Sequence, residues 1–203
     1  MKPSRKPTDV MTFRGYLPHF VTPGRRQFVT FALADALPRD VVERRANAAA
    51  DAAARGEFDD GRAAFAAAQR ALDDGAGSCL LREPHLAREV ESALRRRHGV
   101  DYALLAWVVM PNHVHAAIAL APGARVGAVV QAWKSVAAHS ANRALNRRGR
   151  FWRPEYFDVL IRDDDHLSRV RNYIERNPVA ARLCARPDDW PFGSAGGRAP
   201  AEA

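Results

Sequence analysis

The chain has 203 residues, is 47% hydrophobic and carries a formal charge of +8, with an isoelectric point near 10.3. That is enough apolar material for one well-buried core rather than two, and the basic excess suggests a polyanionic partner. No run of about 18 apolar residues suggests a membrane span, the basic, Pro-rich start lacks the apolar region of a secretory signal, and Cys79 and Cys184 stand apart with no disulfide or zinc-knuckle spacing, so a cytoplasmic location is expected.

Residues 1–12, rich in proline and charge, read as a flexible basic arm; 13–192 as a single domain with a helical insertion around 40–72; and 193–203 as a flexible tail. Phe28 to Leu33 is the first β-rich run. Asp40 to Leu72 is dominated by Ala and Arg, so it reads as helical scaffold broken near Gly56 or Gly61, with a turn following at Asp73-Asp74-Gly75. Glu83 to Arg97 reads as a second helix: Pro84 suits its first turn, and Leu86, Val90 and Leu94 recur every four residues.

Tyr102 to Met110 is almost wholly apolar, as a central strand covered on both faces would be. Pro111-Asn112 then reads as a tight hairpin with Asn112 at positive φ. Beyond it lies His113-Val114-His115. Residues two apart on a strand point the same way, so the two imidazoles project together and can grip a divalent metal; packing is the competing use.

Val126, Val129, Val130, Trp133, Ala137, Ala141 and Ala144 trace a helical stripe, with Lys134 on the polar side. Arg147 to Arg153 is a basic turn enclosing Phe151 and Trp152, Tyr156 to Ile161 gives a fourth strand, and Asp163 to Asp165 form the N-cap cluster of a last helix, His166 to Asn177, stopped by Pro178. The order β-α-β-β-α-β predicts an α+β fold: a ferredoxin-like antiparallel sheet (split βαβ) with helices on one face plus a C-terminal helix outside that core.

Charge is unevenly placed. Between Tyr102 and Pro154 there is no Asp or Glu, while Arg125, Lys134, Arg143, Arg147, Arg148, Arg150 and Arg153 all fall there. An acid-free half centred on a candidate metal pair favours phosphate binding. In the last helix Tyr173 and Asn177 stand at i and i+4, hence on one side. Taken alone, they read as a half-buried aromatic and a helix-terminal cap.

Taken together, these motifs carry a resemblance. Trp107 to His115, Trp133-Lys134-Ser135, Phe151 to Asp158, Tyr173 to Pro178 and Trp190 to Ala195 resemble, in order and spacing, the single-tyrosine HUH transposases of the insertion-sequence type, most closely the REP-associated tyrosine transposases. The resemblance implies that His113 and His115 bind a divalent cation, Mg²⁺ or Mn²⁺, that Asn177 completes that site with a shorter reach than the Gln it can replace, and that Tyr173 is the nucleophile on single-stranded DNA beside hairpins. The implied intermediate is a 5′-phosphotyrosine, in a protein acting as a monomer or homodimer.

Lys134, Arg143, Arg147, Arg148, Arg150 and Arg153 are the expected DNA-binding residues, with Phe151 and Trp152 available either to stack unpaired bases or to fill the core. The rival from another class is a non-cleaving hairpin-binding protein, a domesticated regulator. A metal hydrolase using water is a weaker third reading, because the sequence shows no Asp or Glu near the histidines to serve as base.

Overall fold

A computed structural model describes residues 10–14, 17–21, 25–37 and 62–196. The arm at 1–9, the tail beyond 196 and the part of the helical insertion at 40–61 lie outside these residues. A two-stranded ribbon comes first, β1 (Val10–Arg14) against β2 (Leu17–Val21), so Val10 to Thr12 belong to a strand and not to the arm expected there. The main sheet follows, built from β3 (Arg26–Ala32), β4 (Tyr102–Val109), β5 (His113–Leu120) and β6 (Phe157–Leu160). Its order is β4-β5-β3-β6 with every neighbour antiparallel, the ferredoxin-like arrangement that the element order predicts.

Four α-helices lie among the described residues: α1 (Arg62–Asp73), α2 (Pro84–Arg95), α3 (Val126–Ala144) and α4 (Asp164–Ala180). The strand alternation decides which face each helix covers. Val114, Ala116 and Ile118 of β5 join Val29, Phe31, Leu104 and Trp107 against the apolar stripes of α2 and α3, each fully buried aliphatic side chain contributing about 1.5–3 kcal/mol. Ala117, one step out of phase, joins Phe28, Ala106, Val108 and Met110 against Val170 and Ile174 of α4. The last helix therefore covers the face on which the histidines project.

Three expectations about the chain path need correction. Tyr102 to Val109 is an edge strand, not a central one. It looks central in sequence because its free edge is closed by the chain end: the Val109 N–H donates to Phe192 O at 2.8 Å and the Ser194 N–H to Trp107 O at 2.9 Å. Gly193, where the tail was expected to start, instead bridges Val108. Finally, α4 runs through Pro178 to Ala180. A proline in the last turn forfeits only one backbone donor, so it does not stop the helix where Asn177 was expected to end it. Asp163 does cap α4 as expected, its carboxylate accepting the His166 N–H at 2.7 Å.

Candidate active site and metal centre

β5 pairs with β3 so that His115 lies opposite Thr30 and His113 opposite Ala32. Both imidazoles are completely buried. Asn112 fixes the first of them. Its Nδ2 donates to the carbonyls of Leu72 at 3.1 Å and Ala76 at 2.9 Å, which leaves Oδ1 to accept from His113 Nδ1 at 2.7 Å. The Nε2 of His113 is then a bare acceptor. Thr30 Oγ1 meets His115 Nδ1 at 2.8 Å, and the two Nε2 atoms face each other at 3.0 Å. Burial lowers the pKa of His113 to about 3; His115 is also lowered, by burial first and by His113 second. Both rings are neutral at pH 7, the form that ligates metals. Asn112 does this without the positive φ expected of it, for among described non-glycine residues only Cys79, Asn146 and Arg182 have one.

Helix α1 supplies residues that the sequence did not single out. It ends beside the start of β5, with Ala68 and Leu72 in the core while Gln69 and Asp73, one turn apart, meet the histidines. Gln69 Nε2 lies 3.1 Å from His115 Nε2 and donates to Asp73 Oδ1 at 3.0 Å; Asp73 Oδ1 is 3.8 Å from His113 Nε2. Asp73, His113 and His115 offer ligand atoms all within 4.8 Å of one another. Asp73 thus corrects the expectation that no carboxylate stands near the histidines. In sequence it reads as the first residue of a turn, and only the helix ending there carries it to the site. Burial raises its pKa, while the amides of Gln69 and then Asn177 act to lower it.

Helix α4 brings the other half. The Tyr173 ring lies 5.4 Å from that of His115 and 5.9 Å edge-on from Phe28, and it is 36% exposed. Burial, and next the charge of Asp73, push its pKa above the usual value of 10, against the smaller effects of the Asn177 and Gln69 amides. The resting side chain is a neutral phenol at the mouth of the site. Asn177, one turn on, is buried.

The donor set fits a cation. The two Nε2 atoms lie 3.0 Å apart, a spacing that suits adjacent ligands of an ion with bonds of about 2.1 Å. Two buried amide oxygens, Gln69 Oε1 and Asn177 Oδ1, also have no hydrogen-bond partner among the described residues. A carboxylate, two imidazoles and amide oxygens make a donor set for a divalent cation.

The expected DNA-binding residues divide. Arg143, Arg147, Arg148 and Arg150 are exposed. Lys134 is not available: it is buried, donates to the carbonyls of Arg153 at 2.6 Å and Pro154 at 2.8 Å, and burial lowers its pKa to about 8. Phe151 and Trp152 are core residues, with Trp152 edge-on to Phe31 at 4.9 Å, so their packing use prevails over stacking on bases. Arg153 is half-buried, its N–H donating to Ala32 O at 2.9 Å. Two further exposed arginines, Arg169 and Arg176, lie on α4. With Tyr173 they fall at i, i+4 and i+7, the spacing of one helix side, and that pattern alone could have revealed them.

Residues 83–177 match the family model described as transposase IS200 like. Among solved structures, that of a REP-associated tyrosine transposase bound to a REP hairpin matches with a TM-score of 0.58 at 18% identity, over 92% of this chain and 83% of that one. A crystal structure described as a transposase from Deinococcus radiodurans R1 has 14% identity over 87% of this chain and 98% of that one, with a TM-score of 0.35. No curated protein matches the chain. Among the described residues, no helix is long and apolar enough to cross a membrane.

Proposed function

We propose that this chain, whose residues 83–177 match the IS200-like transposase family model, cuts and rejoins single-stranded DNA beside hairpins through a covalent bond from Tyr173 to a 5′-phosphate. The observation that carries this reading is a half-exposed phenol 5.4 Å from the ring of a buried, neutral His pair with a carboxylate beside it. The REP hairpin bound by the neighbour of known structure supports a hairpin substrate here.

His113, His115 and Asp73 would hold Mg²⁺ or Mn²⁺, with Asn177 the further ligand that the resemblance implies. Such an ion, when bound, polarises a phosphoryl oxygen and stabilises the charge that develops on it. The protein's own groups do the rest. Tyr173 Oη attacks phosphorus, the bond from phosphorus to the 3′-oxygen breaks, and that oxygen leaves as a 3′-hydroxyl once protonated. The phenol proton must be given up as this happens, and the Asp73 carboxylate oxygen that is not taken up by the ion can accept it. The bond energy is conserved in the phosphotyrosine, so a 3′-hydroxyl of another strand can reverse the step and join DNA. Arg143, Arg147, Arg148, Arg150, Arg169 and Arg176 supply positive charge to the backbone. With about six phosphates neutralised, the log–log salt slope of single-strand binding should be roughly −4.

Asp73 also favours a second reading, water activated at the same site. One assay separates the readings: labelled single-stranded hairpin DNA is incubated with the protein and Mn²⁺ and resolved on a denaturing gel. A protein–DNA adduct that disappears in Tyr173→Phe supports strand transfer. Cleavage with a free 5′-phosphate, retained in Tyr173→Phe, would support hydrolysis. Tight, salt-sensitive binding without cleavage over a panel of hairpins would support a binding protein.

A further inference from the structure

We infer that the segment Trp190 to Ser194 is a positioning strap for the nucleophile: annealed to the free edge of β4, it holds α4 through Ser194 and Glu175 and, together with Arg171, sets the roll of the helix that presents Tyr173. The inference deepens the strand-transfer reading above and rests on it. Its starting point is a motif, Trp190-Pro191-Phe192-Gly193-Ser194, that the chemistry of strand transfer leaves unused.

An edge strand turns the N–H and C=O groups of alternate residues outward, where they need partners. On β4 those residues are Leu105, Trp107 and Val109. The Val109 N–H donates to Phe192 O at 2.8 Å and the Ser194 N–H to Trp107 O at 2.9 Å. The Trp190 indole donates to Val109 O at 3.1 Å, and the Trp107 N–H to Ser194 Oγ at 3.2 Å. Gly193 permits so close a path, for a Cβ there would come within 3.3 Å of Trp107 O. Phe192 is buried in the core shared with α2 and α3, and Trp190 packs against the apolar clusters of both faces. Protection of the edge needs no more than this, yet the Ser194 hydroxyl goes further. While it accepts from Trp107 it donates to Glu175 Oε1 at 3.2 Å, so one side chain joins the strand to α4.

Glu175 and Arg171 are four residues apart and share one side of α4. Arg171 donates to Leu105 O at 3.0 Å, at the β-bulge between Leu104 and Ala106. Two anchors one turn apart therefore tie the helix to the same edge strand. Val170 and Ile174 give α4 its apolar seat, but apolar contact is non-directional and lets a helix roll, whereas hydrogen bonds have a preferred direction. Tyr173 stands two residues from each anchor, about 200° round the helix, with its ring 5.4 Å from that of His115 and 5.9 Å from that of Phe28. Anchors and nucleophile thus occupy opposite flanks, and a roll that frees the first swings the phenol off its line to phosphorus. In-line attack is sensitive to such a shift; phosphate contacts made by Arg169 and Arg176 on long flexible stems are not.

The test uses the full-length protein labelled with 3-fluorotyrosine. It has four tyrosines, and the ¹⁹F signal missing in Tyr173→Phe belongs to Tyr173. Glu175→Ala should shift or broaden that signal, because the ring leaves its place between His115 and Phe28. It should also slow adduct formation at saturating hairpin DNA and Mn²⁺ about 10- to 100-fold, with the half-saturating DNA concentration unchanged. Glu175→Gln keeps the oxygen that accepts from Ser194 and should restore both readouts. Arg171→Ala should behave as Glu175→Ala does, and Arg171→Lys, still a donor, should recover in part. A wild-type Tyr173 signal and saturated rate in both alanine variants would overturn the inference, as would Glu175→Gln as slow as Glu175→Ala. Should the wild-type protein form no adduct, the strand-transfer reading falls, and the Tyr173 signal still decides whether the strap holds the helix: unmoved in both alanine variants, it overturns the strap as well.

Discussion

The two faces of the sheet draw alternate residues from the same strand and do opposite things. Toward α2 and α3, β5 presents Val114, Ala116 and Ile118, and the closure is apolar. Its main polar relay is short and closed, Trp133 Nε1 donating to the Tyr102 hydroxyl at 2.7 Å and that hydroxyl to Leu94 O at 2.7 Å. Toward α4, the same strand presents His113 and His115, and Gln69, Asp73, Tyr173 and Asn177 gather over them. Each face has unpaired buried groups among the described residues: the indole N–H groups of Trp107 and Trp152 on the first, the oxygens of Gln69 and Asn177 on the second. Only on the second do the unpaired atoms accompany a cluster of metal-ligating side chains. One face stabilises the fold, and the other spends stability on a site.

That division can be broken by experiment. The largest effect on folding belongs to the apolar face: Ile118→Ala should cost about 2–5 kcal/mol in denaturant unfolding while leaving Mn²⁺ affinity of the folded fraction intact. Next comes the metal itself. At one hundred times its Kd, Mn²⁺ should stabilise the protein by about 2.7 kcal/mol, an increment lost in His113→Ala and on adding chelator. A smaller loss, about 1–3 kcal/mol, is expected of Lys134→Met, which strands the carbonyls of Arg153 and Pro154; the salt slope of DNA binding should not change, because Lys134 is a structural clamp. Smallest of all, Arg169→Gln and Arg176→Gln should each reduce that slope by about 0.7, with stability within about 0.5 kcal/mol of wild type.

How far the sequence alone reaches depends on whether a residue's role is set by its neighbours in the chain. The histidine pair, the α3 stripe and the Asp163 cap are local patterns, and each is legible because a period of two, a period of 3.6 or a capping position decides it. Gln69 and Asp73 are not. They lie more than one strand and one helix away in sequence, in an Ala-rich stretch that looks like scaffold, and only the hydrogen bonds from Asn112 that tie the end of α1 to the head of β5 bring them to the imidazoles. Lys134 fails for the opposite reason. Its helix position is right, but a local pattern does not disclose that the Arg153–Pro154 backbone folds over it. Tyr102 to Val109 looks central because Trp190 to Ser194, some eighty residues on, closes its edge.

The proposed strand transfer stands on the phenol of α4 forming the covalent bond to DNA. The most direct measurement is to stop the reaction of the protein with hairpin single-stranded DNA and Mn²⁺, digest with nuclease and trypsin, and locate the nucleotide by mass spectrometry. It is expected on the peptide Asn172-Tyr173-Ile174-Glu175-Arg176. A nucleotide on Tyr16, Tyr102 or Tyr156, or cleaved DNA with no nucleotide on any tyrosine, would contradict it.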